Sequence, residues 1–183
     1  MIFFTSDEHY GGEFIRNYYD RPFPTPWDMD NEMIVRHNRA VGPDDTCIHV
    51  GDFWHEDGGS WENYRAKLNG RVHILQGNHS IKYREHIHAM VVDVPFLDER
   101  NENSTIYDGR AYITHEPANA DLNYRINIVG HMHDKWKVIR KEGSWIVNVS
   151  VEQWEYKPVS FDDIKAAISK MELHIKVKGG QHG

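Results

Sequence analysis

The chain has 183 residues, which is near the upper limit for one domain, and dividing it would leave two small cores. With 39% hydrophobic, 12% aromatic and 27% charged residues, it has the composition of a folded protein and not of a disordered one. A net charge of −7 argues against a surface that holds double-stranded DNA by neutralising its phosphates. We therefore predict one domain over residues 1–183, with a flexible tail at 178–183.

The compartment is predicted from what the sequence lacks. Cys47 is the one cysteine, so no internal disulfide can form, which suits a reducing environment. The first residues lack a basic segment and reach Asp7 too early for a secretory signal. No apolar run reaches the length of about 18 residues that a membrane span needs. These features favour a cytoplasmic protein with no membrane partner.

The first part of the chain alternates strands with helices. A helix is predicted at residues 28–41, with acidic residues in its first turn, and another at 60–68, where Ser60 is an N-cap and Asn69-Gly70 ends the helix. Between and after them, short apolar runs predict strands. These runs are residues 1–5, 46–50, 72–75, 90–94, 111–114 and 126–129.

The later part of the chain predicts antiparallel pairing. Residues 106–112 have the pattern of a β-hairpin that turns at Asp108-Gly109, and residues 137–148 have that of a second hairpin that turns near Glu142-Gly143. Residues 161–171 form an amphipathic pattern that predicts a helix packed on the outside of the sheets. The fold is therefore expected to be mixed α/β.

Polar clusters follow directly after the predicted strands, where α/β folds place ligands. Asp-x-His is expected about once by chance in this composition, but Gly-Asn-His and Gly-His-x-His are each expected well under once. Their occurrence in one order, each after a strand, therefore indicates a functional site. The clusters are Asp7 to Gly11, Gly51 to His55, Gly77 to His79, Thr114-His115, Gly130 to His133 and Asn148 to Ser150.

This mixture of side chains is typical of a two-metal site. Histidine nitrogens and aspartate oxygens suit Mn, Fe, Zn, Co or Ni, and one carboxylate can bridge two ions. Two ions about 3.5–4 Å apart can activate a shared water and clamp the attacking and leaving oxygens of a phosphate ester. A structural zinc site is disfavoured because such sites prefer four Cys or His ligands and Cys47 is alone.

From Asp7 to His133 the motifs resemble those of the calcineurin-like metallophosphoesterase superfamily, in the family's order. The resemblance implies a four-layer αββα sandwich of two mixed β-sheets flanked by helices. It also implies hydrolysis of phosphodiester or phosphomonoester bonds by a metal-bound hydroxide, with two divalent ions, of which Mn is our first choice. The implied ligands of the first ion are Asp7, His9, Asp52 and His133, and those of the second are Asp52, Asn78, His115 and His131.

Two histidines are implied to meet the substrate. His79 resembles the family histidine that faces the phosphate and protonates the leaving oxygen. His55, in Gly-Asp-x-x-His, resembles the histidine beside the substrate in the Mre11-type nuclease branch, which favours a phosphodiesterase. The compact length resembles small bacterial and phage members instead. Expected substrates are small or flexible phosphate esters, such as a nucleotide or a single-stranded nucleic acid end.

Several alternatives stay open at this point. The family usually has an acid after Gly-Asn-His, whereas this chain has Ser80, which weakens the expected support of His79. Arg21 fits a phosphate clamp and a loop anchor equally well. A second function class is a binding or scaffold protein that kept the fold and lost the chemistry.

Other aromatic and histidine residues also have two interpretations. Tyr10, Trp54 and Trp136 fit base stacking or ordinary packing. His86 and His88 repeat the His-x-His spacing, but they are predicted to lie in a helix, where residues two apart do not share a face.

Overall fold

The computed structural model describes residues 1–79, 87–94 and 107–179 of the chain. Within these residues, two mixed β-sheets form the centre of the protein. The first sheet has the order β3-β2-β1-β9, in which β1 to β3 are parallel and β9 is antiparallel to β1. Its strands are β1 (Ile2–Thr5), β2 (Thr46–His49), β3 (Arg71–Ile74) and β9 (Val159–Ser160).

The second sheet has the order β4-β5-β6-β8-β7, with β5, β6 and β8 parallel and the two outer strands antiparallel to their neighbours. Because the parallel strands of each sheet end at one edge, the loops that follow them can meet there. Its strands are β4 (Ala89–Asp93), β5 (Tyr107–Thr114), β6 (Tyr124–Val129), β7 (Val138–Lys141) and β8 (Ser144–Asn148).

Helices flank the sheets. The side chain of Thr25 accepts a hydrogen bond from the backbone of Asp28 and so caps α2, and Pro26 occupies the first helical position. α4 contacts β1 and β9 of the first sheet and β7 and β8 of the second. The described helices are α1 (Glu13–Tyr18), α2 (Pro26–Ala40), α3 (Trp61–Arg65) and α4 (Phe161–Gly179).

The main core lies between the two sheets. Phe4 and Ile48 of the first sheet share one buried cluster with Ile113 and Val147 of the second. A second cluster packs α2 and α3 against the outer face of the first sheet. This arrangement of layers confirms the expected αββα sandwich, since each face of both sheets needs an apolar partner.

One predicted hairpin is wrong. The turn expected at Asp108-Gly109 does not form, and residues 107–114 run on as the single strand β5. The backbone N–H of Val94 donates to the carbonyl of Gly109 at 2.8 Å, while pairing with β6 shifts register between Tyr107 and Ala111. Gly109 has a φ of +83°. Asp108 and Gly109 therefore form an irregularity inside β5, a strand that pairs with β4 on one side and β6 on the other. Residue 106 lies outside the described part of the chain.

The remaining boundaries differ mainly in length. The hairpin of β7 and β8 is confirmed, with Lys141 opposite Ser144 across the turn. α3 is shorter than the predicted 60–68 helix. α4 continues eight residues beyond the predicted end and includes residues 178 and 179 of the expected tail, whereas residues 180–183 lie outside the described part.

Candidate metal centre

Loops from both sheets converge at the carboxyl ends of the parallel strands. The backbone N–H of Asp7 donates to the carbonyl of Gly51, and that of Gly130 donates to the carbonyl of His115. The isolated bridge between Ser6 and Ser150 joins the two sheets at the same edge. The polar clusters identified in the sequence therefore meet, and the residues concerned are Asp7, His9, Asp52, Asn78, His79, His115, His131 and His133.

Asp7 has one oxygen fixed by hydrogen bonds and one that is left for another partner. Its Oδ2 accepts hydrogen bonds from the hydroxyls of Ser150, at 2.7 Å, and Ser6, and from the backbone N–H of His131, at 2.9 Å. Its buried Oδ1 has no hydrogen-bond partner among the described residues. That oxygen lies 3.6 Å from Nε2 of His133. An orphaned buried carboxylate oxygen aimed at imidazoles is what a metal ion would satisfy.

Asp52 lies between histidines from different loops. Its Oδ1 accepts a hydrogen bond from the backbone N–H of His79 at 2.9 Å. Its Oδ2 lies 3.7 Å from Nε2 of His9 and 3.3 Å from Nε2 of His115. Burial on its own would raise the pKa of Asp52, but the hydrogen bond and charge of His115 hold that pKa below its usual range. Asp52 is therefore an anion at neutral pH, as a metal ligand must be.

The histidines are oriented through their second nitrogens. Nδ1 of His115 donates to the carbonyl of Val50 at 2.8 Å, which turns its Nε2 towards Asp52 and Asp7. The Oδ1 atom of Asn78 lies 2.9 Å from both Nε2 of His115 and Nδ1 of His131. The amide oxygen and the two imidazoles thus occupy one side of the centre.

The charges of these side chains fit a cation-binding role. Burial lowers the pKa of His9 to about 3, so its imidazole is neutral and can offer a lone pair. Burial also opposes protonation of His115, but Asp52 and Asp7 raise its pKa to about 9. The two carboxylates therefore attract positive charge, which a metal ion would supply in place of that proton.

At this centre, two groups of ligand atoms from the described residues are close enough to hold ions. Asp7 with His9 and His133 forms one group, and Asp7 with Asp52 and His115 forms the other, with all ligand atoms of a group within 4.8 Å of one another. Nε2 of His9 is buried and, within the described ranges, has no hydrogen-bond partner. These donors fit divalent metal ions. Asp7 is common to both groups, while the bridging role expected of Asp52 stays a prediction.

The backbone at the site is strained. Positive φ is uncommon for residues other than glycine and costs on the order of 1–3 kcal/mol per residue. Side chains in a regular strand point to alternate faces, and residues with positive φ interrupt that alternation. The site residues with positive φ are Asp7 (60°), His9 (49°), Asp52 (49°), His131 (68°) and His133 (43°).

Close packing explains why two of the motifs contain glycine. Gly51 has a φ of +93°, and a Cβ there would lie 2.3 Å from Nδ1 of His115. A Cβ on Gly77 would lie 2.1 Å from Oδ1 of Asp52. The Gly-Asp and Gly-Asn-His patterns therefore reflect close packing of the ligands against the backbone.

Sequence reasoning missed Glu152, which supports His133. Its Oε1 lies 3.0 Å from Nδ1 of His133 and 2.6 Å from Nη2 of Arg21. Burial would raise the pKa of Glu152, but His133 and Arg21 lower it to about 2. No motif marks this residue, because it lies 19 positions from its histidine and only the fold brings the two together. A carboxylate behind a histidine fixes the tautomer and leaves Nε2 free for an ion.

Arg21 anchors the first loop. Its guanidinium is buried and donates to the carbonyls of Glu8, at 2.8 Å, and Asp7, at 2.6 Å. Its ion pair with Glu152 links this loop to the residue that supports His133. Of the two roles that the sequence left open, the structure favours the loop anchor.

We expect Glu152→Gln to weaken metal binding about 10–100-fold, because an amide holds His133 less firmly and leaves Arg21 without its anion. Titration of the metal-free protein with Mn²⁺ measures this affinity. Glu155→Gln is the matched control, since Glu155 is exposed and pairs with Lys157. Equal affinities for the wild type and Glu152→Gln would contradict the supporting role of Glu152.

A cavity of about 340 Å³ opens onto the centre. His79 is exposed to it, with its ring 5.6 Å from that of His9. His55 also lines it, although Nδ1 of His55 lies 3.2 Å from Oδ2 of Asp57 and caps a short turn. His55 therefore lies at the cavity, where a residue that meets the substrate is expected, and also caps the turn that follows it. The lining residues are His9, Phe14, Ile15, Tyr18, Tyr19, Asp52, His55, His79, His131 and His133.

The other suggested residues lie elsewhere or belong to the core. Tyr10 is buried and packs between Phe53 and Tyr64, so it is a core residue. Trp136 lines a separate groove along α4. His88 precedes β4 and is not helical, contrary to the expectation, while residues 80 and 86 lie outside the described ranges.

Comparisons with known proteins support the fold. No family model matches the chain. The chain is 29% identical over 187 residues to the uncharacterized protein MJ1445 of Methanocaldococcus jannaschii, and the match covers 92% of each. Its structure is similar to that of a protein of unknown function, AQ665 from Aquifex aeolicus, with a TM-score of 0.65 and 22% identity over 91% of this chain and 98% of the other.

A further structural similarity is weaker. The Vps29 structure from Chaetomium thermophilum matches with a TM-score of 0.46 and 9% identity, covering 82% of this chain and 73% of that one.

Among the helices in the described ranges, none has both the length and the apolar character that crossing a membrane requires.

Proposed function

We propose that the protein is a binuclear metal-dependent phosphoesterase of the calcineurin-like superfamily. The observation that carries the proposal is the position of two carboxylates, Asp7 and Asp52, each directed at histidines from separate loops beneath an open cavity. Asp7, His9, Asp52 and His133 would hold one ion, and Asp52, Asn78, His115 and His131 would hold the other. The donor set suits Mn²⁺, our first choice, as well as Fe, Zn, Co or Ni.

The chemistry that such a metal pair would supply is activation of water and neutralisation of charge on the phosphate. The chain's own residues bind and orient the ester. Among the described residues, the cavity is lined by histidines, apolar and aromatic side chains and Asp52, so we assign binding of the phosphate to the metal centre and its histidines. A phosphate ester is the substrate class that such a centre fits, and the small cavity favours a nucleotide or a flexible single-stranded end.

His79 is proposed to donate a proton to the leaving oxygen. Its backbone N–H is fixed by Asp52, while its side chain faces the cavity and is exposed. A positioned histidine side chain can act as a general acid in such a step. We therefore propose that His79 contacts the substrate and that the seven other residues of the centre bind the ions.

The function is tested by reconstituting the metal-free protein with Mn²⁺ and assaying p-nitrophenyl monoesters, p-nitrophenyl diesters and nucleotides. Hydrolysis that requires the added metal supports the proposal. Metal binding without hydrolysis of any of these esters would favour the alternative, a binding or scaffold protein that has kept the fold.

A variant of His55 can distinguish a phosphodiesterase from a general phosphatase. We expect His55→Ala to lower kcat/KM about 10²-fold or more for bis-p-nitrophenyl phosphate, with a smaller loss for p-nitrophenyl phosphate. The reason is that a diester has a second ester group, which His55 can contact from the cavity wall, whereas a monoester has none. The measured quantity is the ratio of the two kcat/KM values, in which a common loss cancels.

Asp57→Asn is the accompanying variant for His55. It weakens the contact that holds the His55 ring and keeps the imidazole, so a smaller change in the same direction is expected. A diester-to-monoester ratio that stays within about twofold of the wild-type value in His55→Ala would remove His55 from the catalytic residues and leave the metal centre unaffected.

A further inference from the structure

α1 exposes a pair of aromatic side chains. Phe14 is 67% exposed and Tyr18 is 68% exposed, and their rings stack with centroids 5.6 Å apart and planes at 28°. Four residues apart on a helix, they share one face, while Ile15 turns into the protein and is buried. Adjacent exposed aromatic rings have no role in the core, and exposed apolar patches often mark binding sites.

This aromatic pair belongs to the same cavity as the metal centre. Phe14 and Tyr18 line it together with Asp52, His79 and His133. The pair forms an apolar wall beside the position proposed for the phosphate. A group attached to that phosphate can therefore contact the exposed rings within the same cavity.

The end of α1 is fixed relative to the centre. The ring of Tyr19, the next residue after the helix, stacks on that of His133 with centroids 3.9 Å apart and planes at 16°. Nη1 of Arg16 donates to the carbonyl of Phe23 at 3.0 Å, which holds the helix against the following loop. The aromatic pair thus has a defined distance from the ions, as a subsite for part of a substrate requires.

The chemistry of this wall selects a flat group. The side chains of Phe14 and Tyr18 offer π faces and, apart from the hydroxyl of Tyr18, no polar contacts. Nucleic acid bases stack on aromatic faces of this kind with little dependence on which base is present. The charged part of a nucleotide suits the metal centre and its base suits the aromatic wall.

We propose that Phe14 and Tyr18 stack on the base of a nucleotide ester whose phosphate occupies the metal centre. The proposal rests on the phosphoesterase function proposed above and names the part of the substrate that the aromatic pair recognises. Trp27 provides a comparison, because it is 73% exposed on α2 and does not line the cavity.

The test uses two diesters with the same leaving group. Thymidine 5′-p-nitrophenyl phosphate carries a base, and methyl p-nitrophenyl phosphate does not. For each, kcat/KM is measured with the Mn²⁺-loaded wild type and with the double variant Phe14→Leu/Tyr18→Leu, which keeps apolar side chains and removes the π faces. We expect the thymidine-to-methyl ratio to fall about 5- to 100-fold in the double variant. Trp27→Leu should leave the ratio unchanged.

The outcomes separate this proposal from the function on which it rests. If the methyl ester is hydrolysed and the ratio is the same in the wild type and the double variant, the aromatic pair does not bind the base. A ratio lowered equally by Trp27→Leu would also overturn the proposal.

If the wild type hydrolyses neither ester, the phosphoesterase function fails and the subsite is judged by binding. Calorimetry then compares thymidine 5′-monophosphate with methyl phosphate on the Mn²⁺-loaded protein. A preference for the thymidine compound that falls about 5- to 100-fold in the double variant supports the base subsite. A preference that is absent, or unchanged in the variant, overturns it.

Discussion

Asp52→Asn is expected to lower both the metal content and the turnover more than any other change of a single ligand. The Oδ2 atom of Asp52 lies 3.7 Å from Nε2 of His9 and 3.3 Å from Nε2 of His115, so it faces ligands of both proposed ions. Replacing the carboxylate by an amide removes a negative charge from both. Because the loss of an outer partner alone costs about 10–100-fold, we expect turnover to fall by at least about 100-fold.

Asp7→Asn is the matched comparison for this prediction. The ligand atoms of Asp7 belong to both groups that could hold an ion, so the structure allows this carboxylate to be the bridge as well. Elemental analysis of the two variants, with kcat measured on the same samples, distinguishes the assignments. If Asp52 bridges, Asp52→Asn loses more of both metals than Asp7→Asn does. The reverse order would give the bridging role to Asp7. If Asp52→Asn keeps two equivalents of metal and near-wild-type turnover, Asp52 is not the bridging ligand.

His79→Ala should lower turnover by about 10²–10⁴-fold while the metal content stays at its wild-type value. The contact between His79 and Asp52 is made by the backbone N–H, at 2.9 Å, and alanine keeps that group. The imidazole faces the cavity, so its removal affects the leaving oxygen and not the ions. Elemental analysis and kcat on a dinucleotide, whose alkoxide leaving group needs a proton, measure the two effects.

His73→Ala controls for the removal of an exposed histidine. His73 lies on β3 and does not line the cavity, so neither metal content nor turnover should change. Loss of metal in His79→Ala would make His79 a ligand, and unchanged turnover with full metal content would remove it from the reaction.

The positions of most strands and the convergence of the polar clusters could be predicted because short sequence patterns indicate both. Apolar runs mark the parallel strands, and residues just after such strands meet at one edge of a sheet. Packing explains the glycines of Gly-Asn-His and Gly-His-x-His, since a side chain on Gly77 or Gly130 would collide with Asp52 or Ser6. These parts of the site are encoded in short stretches of sequence.

The features that were missed depend on contacts between distant segments. Asp108-Gly109 is a strong local signal for a turn, but pairing of β5 with neighbours on both sides keeps the strand continuous. Glu152 gains its role only because Arg21 and His133 approach it from distant positions. Tyr10, Trp54 and Trp136 were considered as base-stacking residues because they are aromatic, whereas the aromatic residues that line the cavity include Phe14 and Tyr18.

The central claim is that two metal ions held by this centre hydrolyse a phosphate ester. Its most direct test is to measure bound Mn²⁺ and bis-p-nitrophenyl phosphate hydrolysis together, on one preparation, before and after chelation and after metal is restored. We predict two equivalents of bound metal, with hydrolysis that disappears on chelation and returns with the metal. Hydrolysis that survives complete removal of the metal, or two bound equivalents with no hydrolysis of any monoester, diester or nucleotide, would contradict the claim.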